Sequence, residues 1–166
     1  EAQVPSSARH REEEAVRFFK VAAYDSAAAH YEKAMSLCKS CPDTLKSRLN
    51  LTLFKTYMYC ERVEEAYLQL VKAEGHAKKA RSDEHLALAY VSFAEYFRST
   101  RKFEKADLYL EKAEAIISTG KTNDRVLGQY YNRKAAILSE GHNDYPGTIA
   151  FSLKSIKITK KLHNKD

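Results

Sequence analysis

The chain has 166 residues, of which 28 are Lys or Arg and 22 are Asp or Glu, for a formal net charge of +6. This length is typical of one domain with a continuous core, and five Gly and three Pro among many helix formers favour helix over sheet. No apolar run reaches the roughly 20 residues that a bilayer span requires, and no signal-peptide core is visible, which predicts a soluble protein. We interpret residues 1–166 as a single cytoplasmic domain, or as a periplasmic sensor region if a signal peptide has been removed.

Apolar periodicity and helix breakers predict eight helices, at about 8–22, 26–39, 45–60, 63–80, 84–99, 103–118, 124–141 and 146–163. Gly120 is of the type favoured just past a helix end, and Asn123 or Asp124 begins the seventh helix. Because the connections have two to six residues, neighbouring helices must be antiparallel. The predicted hairpins cover residues 8–40, 44–80, 83–119 and 124–163.

One short pattern recurs in the second helix of each predicted hairpin. A bulky residue is followed three positions later by Ala, then by another bulky residue, then by Ala. Its anchor alanines are Ala27, Ala66 and Ala106, and the fourth copy is degraded, with Thr148 at the anchor. The anchors are 39, 40 and 42 residues apart, a period typical of stacked helical hairpins. The copies are Tyr24, Ala27, Tyr31, Ala34; Val63, Ala66, Leu70, Ala73; Phe103, Ala106, Leu110, Ala113; and Tyr145, Thr148, Ser152, Ser155.

The alanines have a physical reason to recur. Ala66 and Ala73 lie seven residues apart on one stripe of a helix, where they allow a neighbouring helix to approach closely while Leu70 fills the space between them. A single hairpin cannot bury both of its faces, so the hairpins must stack.

These residues resemble the tetratricopeptide repeat family. In the second unit the signature runs through Leu53, Phe54 and Tyr57 to the pattern that begins at Val63. The resemblance implies an all-α, right-handed superhelical array of about four antiparallel helix hairpins. It covers nearly the whole chain. The third unit repeats the signature through Phe93, Ala94 and Phe97, and the first through Ala15 and Phe18.

The period is longer than the 34 residues of the family's minimal unit. In this respect the chain is similar to kinesin light chains, to polarity adaptors with Leu-Gly-Asn repeats, and to bacterial regulators that sense peptides. The family's clamp for terminal carboxylates needs Lys and Asn at set places on first helices, and no such pair occurs here. An adaptor for chaperone tails is therefore not expected.

In this family the first helix of each hairpin lines a concave groove. The resemblance therefore implies a peptide-binding groove with basic and aromatic side chains, suited to an extended peptide with acidic groups. The alternative is that these residues are ordinary solvated positions. The candidate groove residues are Arg48, Lys55, Tyr59, Glu95, Arg98, Tyr130, Arg133 and Lys134.

The last predicted helix carries two apolar stripes on opposite sides. Ile149, Leu153 and Ile156 form one, while Phe151, Ile158 and Leu162 form the other, about 180° away at 3.6 residues per turn. One stripe can pack on the preceding helix. We expect the other, for which Phe151, Ile158 and Leu162 are the candidates, to be a self-association or continuation face covered by another helix, a second copy or a further segment. A modest exposed patch is the alternative.

Nothing in the sequence indicates catalysis, a metal or a cofactor. The six His residues form no ligand or catalytic spacing, and the usual hydrolase and phosphate-loop motifs are absent. Cys38 and Cys41 form a CxxC without the further ligands that zinc needs, and the odd total of three cysteines favours a reducing compartment. We therefore expect no enzyme activity and no cofactor.

The favoured interpretation is a scaffold that binds a protein or peptide, as the sensor or interaction region of a larger signalling or regulatory protein. The last helix offers a second interpretation, a dimerisation or assembly adaptor, with a possible homodimer. Its Lys cluster offers a third, less favoured one, an accessory that binds nucleic acid. No membrane contact is expected from this segment.

Overall fold

A computed structural model describes residues 4–163 of the chain. In these residues it contains eight α-helices, each within a few residues of its predicted bounds. They are α1 (Ser6–Lys20), α2 (Tyr24–Leu37), α3 (Asp43–Tyr59), α4 (Val63–Lys79), α5 (Asp83–Ser99), α6 (Phe103–Ile117), α7 (Asp124–His142) and α8 (Tyr145–His163). The helices pack as sequential antiparallel hairpins, α1 with α2 and so on to α7 with α8, as in tetratricopeptide-like arrays. The predicted all-α hairpin fold is confirmed.

The chain divides into two compact units, one ending at His85 and the other beginning at Leu86. The first contains α1 to α4, and the second contains most of α5 together with α6, α7 and α8. The prediction that residues 1–166 form one domain stays a prediction. None of the helices in the described part of the chain combines the length and the apolarity that crossing a membrane would need.

The repeated alanines lie in the core, as their spacing predicted. In α2, α4 and α6 every alanine of the pattern has an exposed fraction of 0%. In α8 the replacements keep this inward direction but use hydroxyl groups. Ser155 Oγ donates to the Gly128 carbonyl at 3.2 Å, and Thr148 Oγ1 lies 3.4 Å from the Ala135 carbonyl. The degraded fourth copy therefore packs on α7 through polar contacts to its backbone.

Most of the tight connections use one geometry. Three residues join α1 to α2, α3 to α4 and α5 to α6, and the middle residue of each is left-handed: Ala22 (φ 58°), Glu61 (φ 59°) and Arg101 (φ 61°). The residue after each one donates back to the preceding helix, as Ala23 N does to the Phe18 carbonyl at 3.0 Å. This bond satisfies carbonyls that a helix end leaves open. Gly120 (φ 72°) ends α6 in the same conformation, and Asn123 caps α7, its side chain accepting from Val126 N at 3.1 Å.

The structure joins Cys38 and Cys41 by a disulfide just after α2, and both residues are buried. The sequence had left the role of this pair open. Cys60 is a free thiol.

The left-handed connections generate a stability prediction. Ala22 bears a Cβ in a conformation that only glycine adopts without steric cost, so Ala22→Gly should raise the free energy of unfolding by about 0.5–1 kcal/mol. The matched control is Ala29→Gly, at an exposed site inside α2, which should lower it by about 1 kcal/mol. Urea denaturation of both variants measures the two effects. A loss of stability in Ala22→Gly would contradict the assigned backbone.

Candidate functional site

The first unit carries a cluster of three aromatic rings, which we call the aromatic platform: Phe19 from α1, Tyr24 from α2 and Tyr59 from α3. Phe19 and Tyr24 are half-buried, and Tyr59 is exposed. The Tyr24 and Tyr59 rings are stacked, with centroids 4.7 Å apart and planes at 17°. Phe19 meets each of them edge-on, at 5.2 and 5.4 Å. Tyr59 is 52% exposed, so a large ring held by its neighbours is accessible to a ligand. The family resemblance implied Tyr59 as a groove residue, but Phe19 and Tyr24 were missed because their contacts with it are tertiary.

Lys55 lies one helical turn before Tyr59 on the same face of α3. Its side chain is exposed, and its ammonium lies 5.3 Å from the centroid of the Phe19 ring. A cation held at the face of an aromatic ring keeps most of its capacity to bind a carboxylate from solvent. Lys55 therefore adds a positive charge at the edge of the aromatic platform.

Arg48 has a different environment from Lys55. Its guanidinium donates two hydrogen bonds to the carboxylate of Glu12 on α1, one of them at 3.0 Å. A bidentate pair of this kind fixes both side chains and cancels their charges locally. The prediction that Arg48 offers a charge to a ligand omitted Glu12, which lies 36 residues earlier, about one repeat period away.

In the second unit the predicted groove residues Glu95, Arg98 and Arg133 meet, and Glu140 joins them. Arg98 donates to both oxygens of Glu95, at 3.0 and 2.9 Å, and reaches Glu140 at 2.7 Å. Arg133 Nε lies 3.2 Å from Glu95. This cluster of two guanidinium groups and two carboxylates has no net charge. The structure brings these three residues together, but the positive charge expected there is balanced by Glu95 and Glu140.

Electrostatics within this cluster favour the ionised form of Glu95. Burial by itself would raise the pKa of the Glu95 carboxyl, but the hydrogen bonds from Arg98 and the charges of Arg133 and Arg98 outweigh burial, so the pKa lies below its usual value of 4.5. The cluster is therefore a stable feature of the folded state at neutral pH.

The remaining two predicted groove residues, Tyr130 and Lys134, lie partly inside the second unit. Tyr130 has an exposed fraction of only 2%, and Lys134 Nζ donates to its hydroxyl at 2.9 Å and to Glu114 at 3.1 Å. Burial, together with the hydrogen bond and charge of Glu114, raises the pKa of Tyr130. The expectation that Tyr130 faces a ligand is therefore wrong. Its position on α7 is a packing position, where a large ring fills the space beside α6.

The two apolar stripes of α8 lie the opposite way round from the expectation. Phe151 is partly buried against the Tyr131 ring, with centroids 5.8 Å apart, and Ile158 packs against Gly128 of α7. Leu162 is also partly buried. The other stripe, Ile149, Leu153 and Ile156, is exposed by 61%, 62% and 50%. Gly128 explains the choice, because a residue without a side chain on α7 makes room for Ile158.

The structure shows two His–Asp pairs, His76 with Asp43 at 2.6 Å and His142 with Asp107 at 2.7 Å. The second pair lines a shallow cleft of about 280 Å³ between α6 and α7, together with Glu114 and Lys134. Within residues 4–163 no group of three or more His, Cys, Asp or Glu side chains could hold a metal ion.

Comparison with known proteins gives a fold likeness. No family model matches the sequence, and no curated protein matches it. Among solved structures, the chain is similar to BtubC (BKLC) from P. vanneervenii, with a TM-score of 0.72 and 16% sequence identity. The match covers 94% of this chain and 64% of BtubC, so the chain spans somewhat less than two thirds of that protein. At this identity the likeness establishes the fold, an all-α array of hairpins of the tetratricopeptide type.

The charge cluster of the second unit generates a prediction about pH. Because the pKa of Glu95 is lowered in the folded state, its contribution to stability is complete above about pH 4.5 and is lost as the pH falls through the lower, folded value. Glu95→Gln should lower the free energy of unfolding by about 1 kcal/mol at pH 7. This difference from the unsubstituted protein should shrink below pH 4, as measured by urea denaturation across pH 3–7.

The control is Glu13→Gln, which removes an exposed carboxylate of α1 that makes no predicted contribution. A deficit in Glu95→Gln that stays constant across this pH range would mean that the carboxylate charge is not what stabilises the cluster.

Proposed function

We propose that this protein is a non-enzymatic scaffold that binds an extended segment of a partner protein on the aromatic platform of its first unit. The observation that carries the proposal is the half-exposed Tyr59 ring, stacked on Tyr24 and held edge-on by Phe19. An ordered, half-exposed Tyr ring offers a partner a large contact area, which is why we place the binding site here.

The platform has the properties of a binding hot spot. Tyr is a residue type that carries much of the free energy at protein interfaces, since it offers a large contact area at a small cost in side-chain entropy. Here the neighbouring rings already restrict the Tyr59 side chain, so that a ligand would lose less affinity to ordering of the protein. The ligand itself would supply an aliphatic or aromatic side chain to pack on the ring.

Charge narrows the chemistry of the ligand further. Arg48, Arg98 and Arg133 already have carboxylate partners within the protein, whereas Lys55 extends from the platform edge into solvent. We therefore expect one acidic residue next to the anchoring side chain of the ligand, rather than a strongly acidic peptide.

The role as the interaction or sensor region of a larger regulatory protein is part of the same proposal. It is supported by the hairpin-array fold, which presents surface more often than it forms a catalytic pocket. The disulfide between Cys38 and Cys41 supports the periplasmic alternative over a cytoplasmic location.

The test of this function is selection from a phage-displayed library of unstructured peptides, followed by fluorescence anisotropy with the enriched sequences. We expect the enriched peptides to share a large apolar residue beside Asp or Glu. Tyr59→Ala should weaken their binding at least tenfold, about the effect of losing a central aromatic contact, and Lys55→Glu should weaken it severalfold.

Leu68→Ala is the matched control, because Leu68 is an exposed apolar residue of the same unit, on α4 and outside the platform. Its binding should equal that of the unsubstituted protein. Peptides that bind Tyr59→Ala as tightly as the unsubstituted protein, or a library that yields no binder, would refute the platform as the binding site.

A further inference from the structure

The exposed stripe of α8 occupies positions that, in two earlier hairpins, contact the elements that follow. The pattern described above has its anchor at Ala27 in α2, Ala106 in α6 and Thr148 in α8. The residues of the stripe lie one, five and eight positions after the anchor. From Thr148 these positions are Ile149, Leu153 and Ile156, whose side chains are exposed. The equivalent positions are Ala28, Glu32 and Met35 in α2, and Asp107, Glu111 and Glu114 in α6.

In the first unit these positions face α3 and the turn after it. Ala28 is fully buried. The Glu32 carboxylate accepts a hydrogen bond from the Tyr57 hydroxyl at 2.6 Å and lies 3.4 Å from the Arg62 guanidinium. The contact thus pairs a carboxylate on the second helix with basic and phenolic groups on the following elements.

In the second unit the same positions of α6 face α7, and the pairing of charges is repeated. Glu114 accepts from Lys134 at 3.1 Å, and Asp107 lies 2.7 Å from His142. In both units, therefore, the second helix of one hairpin supplies carboxylates, and the hairpin that follows supplies Tyr, Lys, Arg or His side chains that contact them.

On α8 the chemistry of this face is reversed. The three positions are the aliphatic residues Ile149, Leu153 and Ile156. Four residues after Ile156, Lys160 lies on the same face of the helix, and Lys157 lies next to it. Between Tyr145 and His163 the helix has four Lys and no Asp or Glu. Lys157 and Lys160 are both exposed. The face is therefore apolar over its first part and cationic over its last part.

We infer that this face of α8 binds an amphipathic helix of a partner protein that carries acidic residues beside an aliphatic stripe. A helix fits because the equivalent positions of α2 and α6 contact the helices α3 and α7. Aliphatic side chains would pack on Ile149, Leu153 and Ile156, and carboxylates would meet Lys157 and Lys160.

The same charges argue against two other occupants. A second copy of the chain would place one helix with four Lys and no carboxylate against another like it, and like charges in contact disfavour association. A further hairpin of the kind seen in α3 and α7 would present basic groups to a basic face. This binding surface is separate from the aromatic platform and does not depend on it.

The experiment is a selection against the full chain from a phage-displayed library of helix-forming peptides about 18 residues long, which matches the length of α8. Binders that also attach to Leu153→Glu are removed first, so that the survivors depend on the stripe. We expect the survivors to be amphipathic and acidic. In fluorescence anisotropy, Leu153→Glu should weaken them at least tenfold, and adding salt should weaken them further.

Lys157→Glu/Lys160→Glu is the second variant, and it should lose the acidic peptides while gaining affinity for versions in which Lys replaces Glu. Leu108→Glu, at an exposed apolar position of α6, is the matched control and should bind normally, as should Tyr59→Ala. Circular dichroism establishes that each variant is folded, which Leu153→Glu should be because Leu153 is exposed.

Several outcomes would overturn the inference. One is a library without survivors, or with survivors that are basic or lack an apolar stripe. Another is a dimer in light scattering that dissociates in Leu153→Glu, because the occupant would then be a second copy. A third is binding of a duplex DNA oligonucleotide that Lys157→Glu/Lys160→Glu abolishes and Leu153→Glu leaves intact, because the face would then bind nucleic acid through its charges alone.

Discussion

Close approach of helices at buried alanines is the constraint on which the structure depends. In α2, α4 and α6 the pattern alanines leave no exposed surface, and a larger side chain at any of them would force the helices apart. The left-handed turn residues such as Ala22 and Glu61 return the chain at once into the next helix, so that each second helix packs directly on its first. Because these features fill the interior with packed side chains, a partner can be bound only at the surfaces of the helices.

Those surfaces are organised by charge pairs between residues about one repeat apart. Arg48 pairs with Glu12, and Arg98 with Glu140, in each case across two first helices of one unit. Such pairs join successive first helices at little net charge. They also decide which groups are available to a ligand, since Lys55 is exposed beside the Phe19 ring while Arg48, Arg98 and Arg133 already have carboxylate partners. The proposed function follows from this distribution, because the platform is where exposed aromatic area and an exposed cation coincide.

The helix α8 packs on α7 as the earlier second helices pack on their first helices, but it uses different residues. Its inward side replaces the alanines by Thr148 and Ser155, which bind the α7 backbone, and Gly128 makes room for Ile158. Its outward side has Ile149, Leu153 and Ile156 where α6 has Asp107, Glu111 and Glu114. The carboxylates that α2 and α6 present to the following elements have no counterpart on α8, which is why we infer a partner of a different kind from the chain's own hairpins.

The sequence by itself determined the helices, their pairing into hairpins and the buried alanines, because these depend on periodicity, breakers and spacing along the chain. It also placed Tyr59 and Lys55 on one face of α3. The tertiary structure alone decided that Tyr130 is buried, that Arg98 and Arg133 share the carboxylate of Glu95, and which stripe of α8 faces solvent. The physical reason is the same in each case. A helical repeat shows which residues share a face, but burial and charge pairing also depend on side chains from another helix, which the pattern of one helix does not reveal.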